Sequence, residues 1–207
     1  MAQAFRHHAV HFDSGMKEFL QPTAVIDSDA ISVVALAAEL AEGAAGDEAV
    51  ARRCFVWVRD RVRHSSDCRI PTVTCYASEV LEHRVGFCFA KSHLLAALLR
   101  ARGIPAALCY QRLALDERGT SFCLHGLVAV FLQRHGWYRA DPRGDKAGVV
   151  TDFCPPVERL AFTPRWPGEM GIPTRFADAL PDVVATLHRY RTADEVALNL
   201  PDYAPAV

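Results

Sequence analysis

Val85-Gly86-Phe87-Cys88-Phe89-Ala90-Lys91-Ser92-His93-Leu94-Leu95-Ala96-Ala97-Leu98-Leu99-Arg100-Ala101-Arg102-Gly103-Ile104-Pro105 is the stretch that decides the fold. After Gly86, residues Ala90, Leu94, Leu95, Leu98, Leu99 and Ala101 recur at helical spacing. The ending is equally explicit: Arg100 and Arg102 fall in the last turn, Gly103 supplies a left-handed cap and Pro105 stops the helix. Cys88 therefore stands at or near the first turn. There the unpaired backbone N–H groups and the positive end of the helix dipole favour a thiolate over a thiol, and only the thiolate is a good nucleophile. An unpaired cysteine is also a small apolar side chain that suits a core, so helix position alone leaves both readings open.

Upstream, Asp27-Ser28-Asp29 offers caps for a helix whose residues Ile31, Val33, Val34, Leu36, Ala37, Leu40 and Ala41 are apolar nearly all round, which predicts cover on several sides. Gly43 to Gly46 breaks it, and a second helix starts at Asp47. Its inward stripe is Val50, Cys54, Trp57, Val58 and Val62, with Arg52, Arg53, Arg59, Asp60 and Arg63 toward water, so Cys54 belongs to the core. Turn formers fill 64–76, and Ala77 to His83 reads as a short helix delivering the chain to Gly86. Cys68, Cys75 and Tyr76 thus come within reach of the Cys88 turn, where a second thiol can resolve an oxidised Cys88; nearness in sequence is the only support for that redox role. Nearer the start, His7, His8 and His11 alternate with Phe5, Val10 and Phe12 as an extended edge segment or a solvated arm. No carboxylate or thiol stands beside them at ligand spacing, and they are not read as a metal site.

After Pro105 the pattern changes to strands. Residues 106–113 are extended, 116–119 form a loop, and His125-Gly126-Leu127-Val128-Ala129-Val130-Phe131-Leu132 is apolar on both faces, as a central strand is. Gly136-Trp137-Tyr138-Arg139-Ala140-Asp141 returns beside it until Pro142. A hairpin folded symmetrically about Gln133 sets His125 directly opposite Asp141, with Cβ atoms within roughly 4.5–5.5 Å. A turn centred on Arg134-His135 makes the pair diagonal, and Gly136 suits that turn; the symmetric register is the expectation. Val149 to Phe153 reads as a further strand, Pro155 to Pro173 as a proline-punctuated loop of the kind that often lines substrate, and Phe176 to Tyr190 as a segment closing in a helix that Pro181 starts. The last residues read as packing or tail.

With 207 residues and no repeat or linker, the chain reads as one domain over 1–207, its motif-bearing core at about 47–145. A formal net charge of -1 gives no field for nucleic acid or an anionic membrane. No apolar stretch approaches a membrane span and the N-terminus has no signal-like h-region, so a cytoplasmic location is the expectation. Seven cysteines without a C-x-x-C pair suggest reduced thiols rather than a disulfide framework or a zinc finger. The oligomeric state is not readable from the sequence.

A helix-start cysteine, a strand histidine and a strand-end aspartate are the parts that acyl transfer through a thioester requires. The thiolate attacks a carbonyl carbon, the histidine moves the proton to the leaving amine, and the carboxylate fixes the imidazole tautomer. In Gly86-Phe87-Cys88, in Leu94 to Ala106, in His125-Gly126-Leu127-Val128 and in Gly136 to Pro142, the sequence resembles the transglutaminase-like superfamily, in its bacterial cysteine peptidase or amidase form. The resemblance implies an α+β, papain-like core with the nucleophile-bearing helix packed against an antiparallel β-sheet. It implies Cys88 as nucleophile, His125 as general base and Asp141 as orienting acid, with no metal or cofactor. Two positions depart from the family pattern: Leu127 stands where an aromatic residue is common, and Arg143 where threonine often follows Asp-Pro.

The oxyanion hole then uses the Cys88 backbone N–H and a second donor, for which Tyr76 is the candidate by nearness in sequence. Phe87 and Trp137 are further substrate candidates, although Trp137 first of all covers the sheet. Lys91, one turn after Cys88, reads as an exposed helix lysine, with support of the thiolate as the alternative. Cys109 and Cys123 read as packing. The expected function is acyl transfer at amide bonds of a peptide or protein, hydrolytic rather than cross-linking. Protein-glutamine transamidation and a non-catalytic peptide-binding module are the alternatives; an acyltransferase fed by a thioester donor is a third that no phosphate-binding glycine loop supports.

Overall fold

The computed structural model describes residues 14–68, 70–116 and 118–203. At its centre lies the expected helix, α4 (Cys88–Arg100), which is buried along all of its residues rather than on one stripe. Three helices pack on it, α1 (Ile31–Ala41), α2 (Gly46–Arg61) and α3 (Ala77–His83), and the strands β3 (Ala106–Ala114) and β4 (Phe122–Leu132) cover it from the other side. Leu94, Leu95, Leu98 and Leu99 are all sealed, each contributing about 1.5–3 kcal/mol of transfer free energy.

A helix buried on every side must satisfy its charged residues internally, and α4 does so for Lys91 and Arg100 through distant backbone. Lys91, expected to be exposed, is 1% exposed; its Nζ donates to the carbonyls of Arg59, Val62 and Arg143, tying the end of α2 to the loop after Asp141. Its ammonium serves as a hub and not as an exposed lysine. Burial pulls its pKa down to about 8. Arg100 donates to the carbonyls of Gln21, Ala106 and Ala177. Gly103 takes the left-handed cap at φ 69°, and Gly103 and Ile104 return their N–H groups to the Arg100 and Leu99 carbonyls.

Helix α1 differs from expectation in its cover. Only Val33 and Ala37 are buried, while Ile31 is 89% exposed. Asp27, expected as a cap for α1, accepts instead from the Ser78 N–H at the start of α3. Where an extended segment or an arm was expected, residues Ser14–Leu20 form a 3-10 turn that lays Phe19 on the Trp137 ring, 5.2 Å between centroids. The three N-terminal histidines, His7, His8 and His11, lie outside the described residues.

The main sheet is antiparallel with strand order β5-β4-β3-β8, where β5 is Gly136–Ala140 and β8 is Met170–Gly171. β4 is central and buried on both faces, with Leu124, Val128 and Val130 in the main core and Leu127 and Ala129 in a smaller second cluster. The β4–β5 register corrects the symmetric hairpin: Leu132 pairs with Gly136 and Val128 with Ala140, so the turn centres on Arg134. Gly136, at φ 71°, closes a three-residue loop that only a left-handed residue accommodates easily. His125 and Asp141 are therefore diagonal neighbours.

A short parallel pair, β1 (Arg63–His64) with β2 (Val85–Gly86), leads into α4. β6 (Asp152–Cys154) overlaps only the end of the strand expected at 149–153 and pairs with β7 (Val157–Arg159) inside the expected loop. α5 (Pro181–Arg189) begins at its proline as expected; α6 (Ala193–Leu198) occupies the supposed tail and is announced by the capping box of Thr192 and Glu195. Among the described residues no helix is long and apolar enough to cross a membrane.

Gly126 sets how closely β4 approaches the first turn of α4. A Cβ there would stand 3.0 Å from both Cα and Cδ1 of Phe89 and 3.2 Å from its backbone N. Gly126→Ala is expected to lower unfolding free energy by about 1–3 kcal/mol in a denaturant titration; a change below about 0.5 kcal/mol would show that this approach is not tight.

Candidate active site

A cleft of about 580 Å³ opens at the N-terminal end of α4. Phe87 is the extended N-cap residue, and Cys88 follows as the first helical residue, 8% exposed and on the cleft wall. The Gly126 N–H points at Cys88 Sγ, 3.4 Å away. His125, next in sequence, shares the cleft. Its Nε2 lies 2.8 Å from Asp141 Oδ2, and the Cys88 side chain is near enough to act on the same ring. Phe162 packs its ring at 90° to the imidazole, with centroids 5.0 Å apart.

Asp141 is fully buried and held on both oxygens. Oδ1 accepts from the Arg143 N–H at 3.1 Å, and Oδ2 accepts from the Ala161 N–H at 2.9 Å as well as facing His125. Burial pushes its pKa up, but His125 and the two backbone donors outweigh that, and the carboxyl is held below the usual range. The imidazole is the counterpart. Burial pulls the His125 pKa down, yet the Asp141 carboxylate and the Cys88 sulfur on either side raise it to about 10. The raised pKa favours the protonated ring, a state from which it can deliver a proton to a leaving group.

The structure thus brings together the three residues expected to act jointly, Cys88, His125 and Asp141, and adds Phe87 to the cleft wall. Tyr76 does not join them. Its ring packs on His188, 5.5 Å between centroids, at the N-cap of α3, because 74–76 lead into that helix and away from the cleft. Trp137 is likewise elsewhere, opposite Phe131 on β5 and packed on Phe19 and Phe131, where it covers the sheet. Cys75 is buried with its thiol pushed up to about 12 by burial, and Cys68 lies in a neighbouring cavity; neither reaches the cleft. The cysteine that lines it beside Cys88 is Cys123, two residues before His125.

Sequence reasoning missed His64, Arg143, Phe162 and Trp166, which also line the cleft. Phe162 and Trp166 come from the proline-rich loop already suspected of lining substrate, and Trp166, 57% exposed, stands at the mouth. His64 carried no signal and Arg143 only its departure from the family pattern after Asp-Pro, because what brings them in is the β1–β2 pairing and the Arg143–Asp67 ion pair at 2.8 Å. Among the described residues, no three His, Cys, Asp or Glu side chains converge as metal ligands would.

The sequence model of the transglutaminase-like superfamily matches residues 34–142, just over half of the chain. No curated protein matches. Among solved structures, a candidate cysteine protease from Cytophaga hutchinsonii is 22% identical, with a TM-score of 0.53 over 65% of this chain and 44% of that one. The periplasmic domain of TgpA from Pseudomonas aeruginosa is 22% identical, with a TM-score of 0.48 over 64% of this chain and 48% of that one. The chain spans less than half the length of either, and the likeness to the Cytophaga protein is one of fold.

Two imidazoles in one cleft are expected to differ in charge. His64 is held down at about 3, chiefly by burial and then by Arg143, against about 10 for His125. Ring nitrogen NMR at pH 8 should show both His125 nitrogens protonated and one His64 nitrogen bare, and Asp141→Asn should lower the His125 pKa. Because the folded pKa of His125 exceeds its ordinary 6.5, its contribution to stability is complete below pH 6.5 and is lost as pH rises through about 10. A neutral His125 at pH 8 would contradict this assignment.

Proposed function

We propose, from the premise that the chain belongs to the transglutaminase-like superfamily, that it is a cysteine-dependent enzyme hydrolysing amide bonds of peptides or proteins. One observation carries the reading: Cys88 and His125 stand together on the wall of an open cleft, and a buried, fully oriented carboxylate bonds the imidazole from behind. Cys88 Sγ adds to the scissile carbonyl carbon while His125 holds the proton taken from sulfur. The C–N bond then breaks, His125 protonates the departing amine, and a thioester to Cys88 remains. Water attacks the thioester with His125 as base, and the acid leaves. Asp141 Oδ2 keeps Nε2 as the carboxylate-facing nitrogen, so that the other nitrogen serves the sulfur throughout.

Apolar walls from Leu113, Leu115, Phe162 and Trp166 suit an apolar side chain on the acyl side. The Cytophaga protein is itself described as a candidate cysteine protease. The cytoplasm is the compartment we infer, supported by seven cysteines of which none is paired.

An electrophilic amide probe followed by peptide mass spectrometry should label Cys88 ahead of the other six cysteines. On a peptide library, Asp141→Asn should lower kcat about 10³–10⁴-fold, and Cys88→Ala should abolish cleavage. A labelled primary amine added to the library should stay largely unincorporated; its dominance in the products would reassign the chain to transamidation, and absence of any Cys88 adduct would contradict the enzymatic reading.

A further inference from the structure

When Cys88 adds to a carbonyl, the oxygen becomes an anion that needs donors placed before the reaction starts. The Cys88 backbone N–H, free at the start of α4, supplies one. With Tyr76 turned away toward His188, the second position is open. We infer that it is filled by the Nε2–H of His64, a role that rests on Cys88 being the nucleophile.

Placement comes first. His64 pairs in parallel register with Gly86, and the bonds from Arg63 N to Arg84 O (2.9 Å) and from Ser65 N to Gly86 O (3.1 Å) lock it beside the turn that carries Cys88. Its ring stands edge-on to Phe87, 5.9 Å between centroids, and lines the same cleft as Cys88 and His125. A histidine held by a strand rung on one side and an aromatic ring on the other has little freedom left to lose when it meets an oxyanion.

Tautomer follows from hydrogen bonding. The Ser66 N–H donates to His64 Nδ1 at 3.3 Å, which assigns the lone pair to Nδ1 and the hydrogen to Nε2. Nδ1 also faces Asp67, 3.9 Å away, a residue of the neighbouring cavity and not of the cleft. His64 lines both cavities; its Nε2 has no hydrogen-bond partner among the described residues and is not sealed as His93 Nε2 is, so it is the nitrogen left to donate into the cleft. The turn is braced from below, because Arg143 bonds Asp67 through its guanidinium while its own backbone N–H holds Asp141. One arginine thus ties the donor's turn to the carboxylate that orients His125.

Charge fits the role. Burial, with Arg143, Lys91 and His125 adding to it against Asp67, keeps His64 neutral. A neutral imidazole donates a hydrogen bond to a developing oxyanion without repelling the His125 imidazolium.

The test separates a reaction that builds an oxyanion from one that does not. Cys88 acylation by p-nitrophenyl acetate passes through a tetrahedral oxyanion, whereas alkylation by iodoacetamide is a direct displacement at carbon. His64→Phe keeps the ring packing on Phe87 and removes the donor; His64→Gln restores an N–H. Acylation in His64→Phe is expected to fall about 10²–10³-fold, with alkylation within about twofold of wild type, and His64→Gln is expected to recover at least about tenfold of the loss. Equal acylation in wild type and His64→Phe, a parallel fall in both reactions, or His64→Gln no better than His64→Phe would overturn the assignment. A wild-type Cys88 that alkylates but never acylates would instead overturn the acyl-transfer reading from which this one starts.

Discussion

Full burial of α4 is the constraint on which the rest of the structure depends. A helix sealed on every side can present a reactive side chain only at an end, and the sequence places Cys88 at that end, with Phe87 as the extended residue before it. Burial also obliges Lys91 and Arg100 to find backbone partners at distant points of the chain, and those partners join α2, the loop after Asp141 and the segment before α5 to the same helix. The glycine at 126 lets β4 come into contact with the first turn, and the residue before it is His125. Packing and chemistry therefore use the same few residues.

Electrostatics within the cleft follow from that geometry. His125 is buried and His64 half-buried, and desolvation alone would leave both neutral. His125 departs because it stands between a carboxylate and a sulfur, while His64 stays neutral because Arg143, Lys91 and His125 reinforce burial against Asp67. A cleft with one imidazolium and one neutral imidazole has both a proton to give and a donor that adds no charge.

Much of this was legible in sequence. The α4 stretch wrote its own ending in Gly103 and Pro105, and the order of Cys88, His125 and Asp141 was readable because each sits in a short local pattern. What failed depended on pairing in space. The β4–β5 register turned on Gly136 taking a left-handed conformation, which moved the turn centre from Gln133 to Arg134 and made the His125–Asp141 contact diagonal. Tyr76 and Trp137 were judged by nearness in sequence and by residue type, and both pack elsewhere. Lys91 looked like a surface lysine because amphipathic reasoning assumes a wet face, and α4 has none. The apolar circumference of α1 misled in the opposite sense, since Ile31 faces solvent. His64 was invisible because a two-residue strand gives no periodicity.

The central claim is that Asp141 acts only through His125 and His125 on Cys88. The most direct measurement is the second-order rate of Cys88 acylation by an activated ester in wild type, His125→Ala, Asp141→Asn and the double variant. Residues that work as one unit give strongly non-additive losses, so the double variant should be no slower than His125→Ala alone. Losses that multiply would show that the two residues act independently, and would contradict the account.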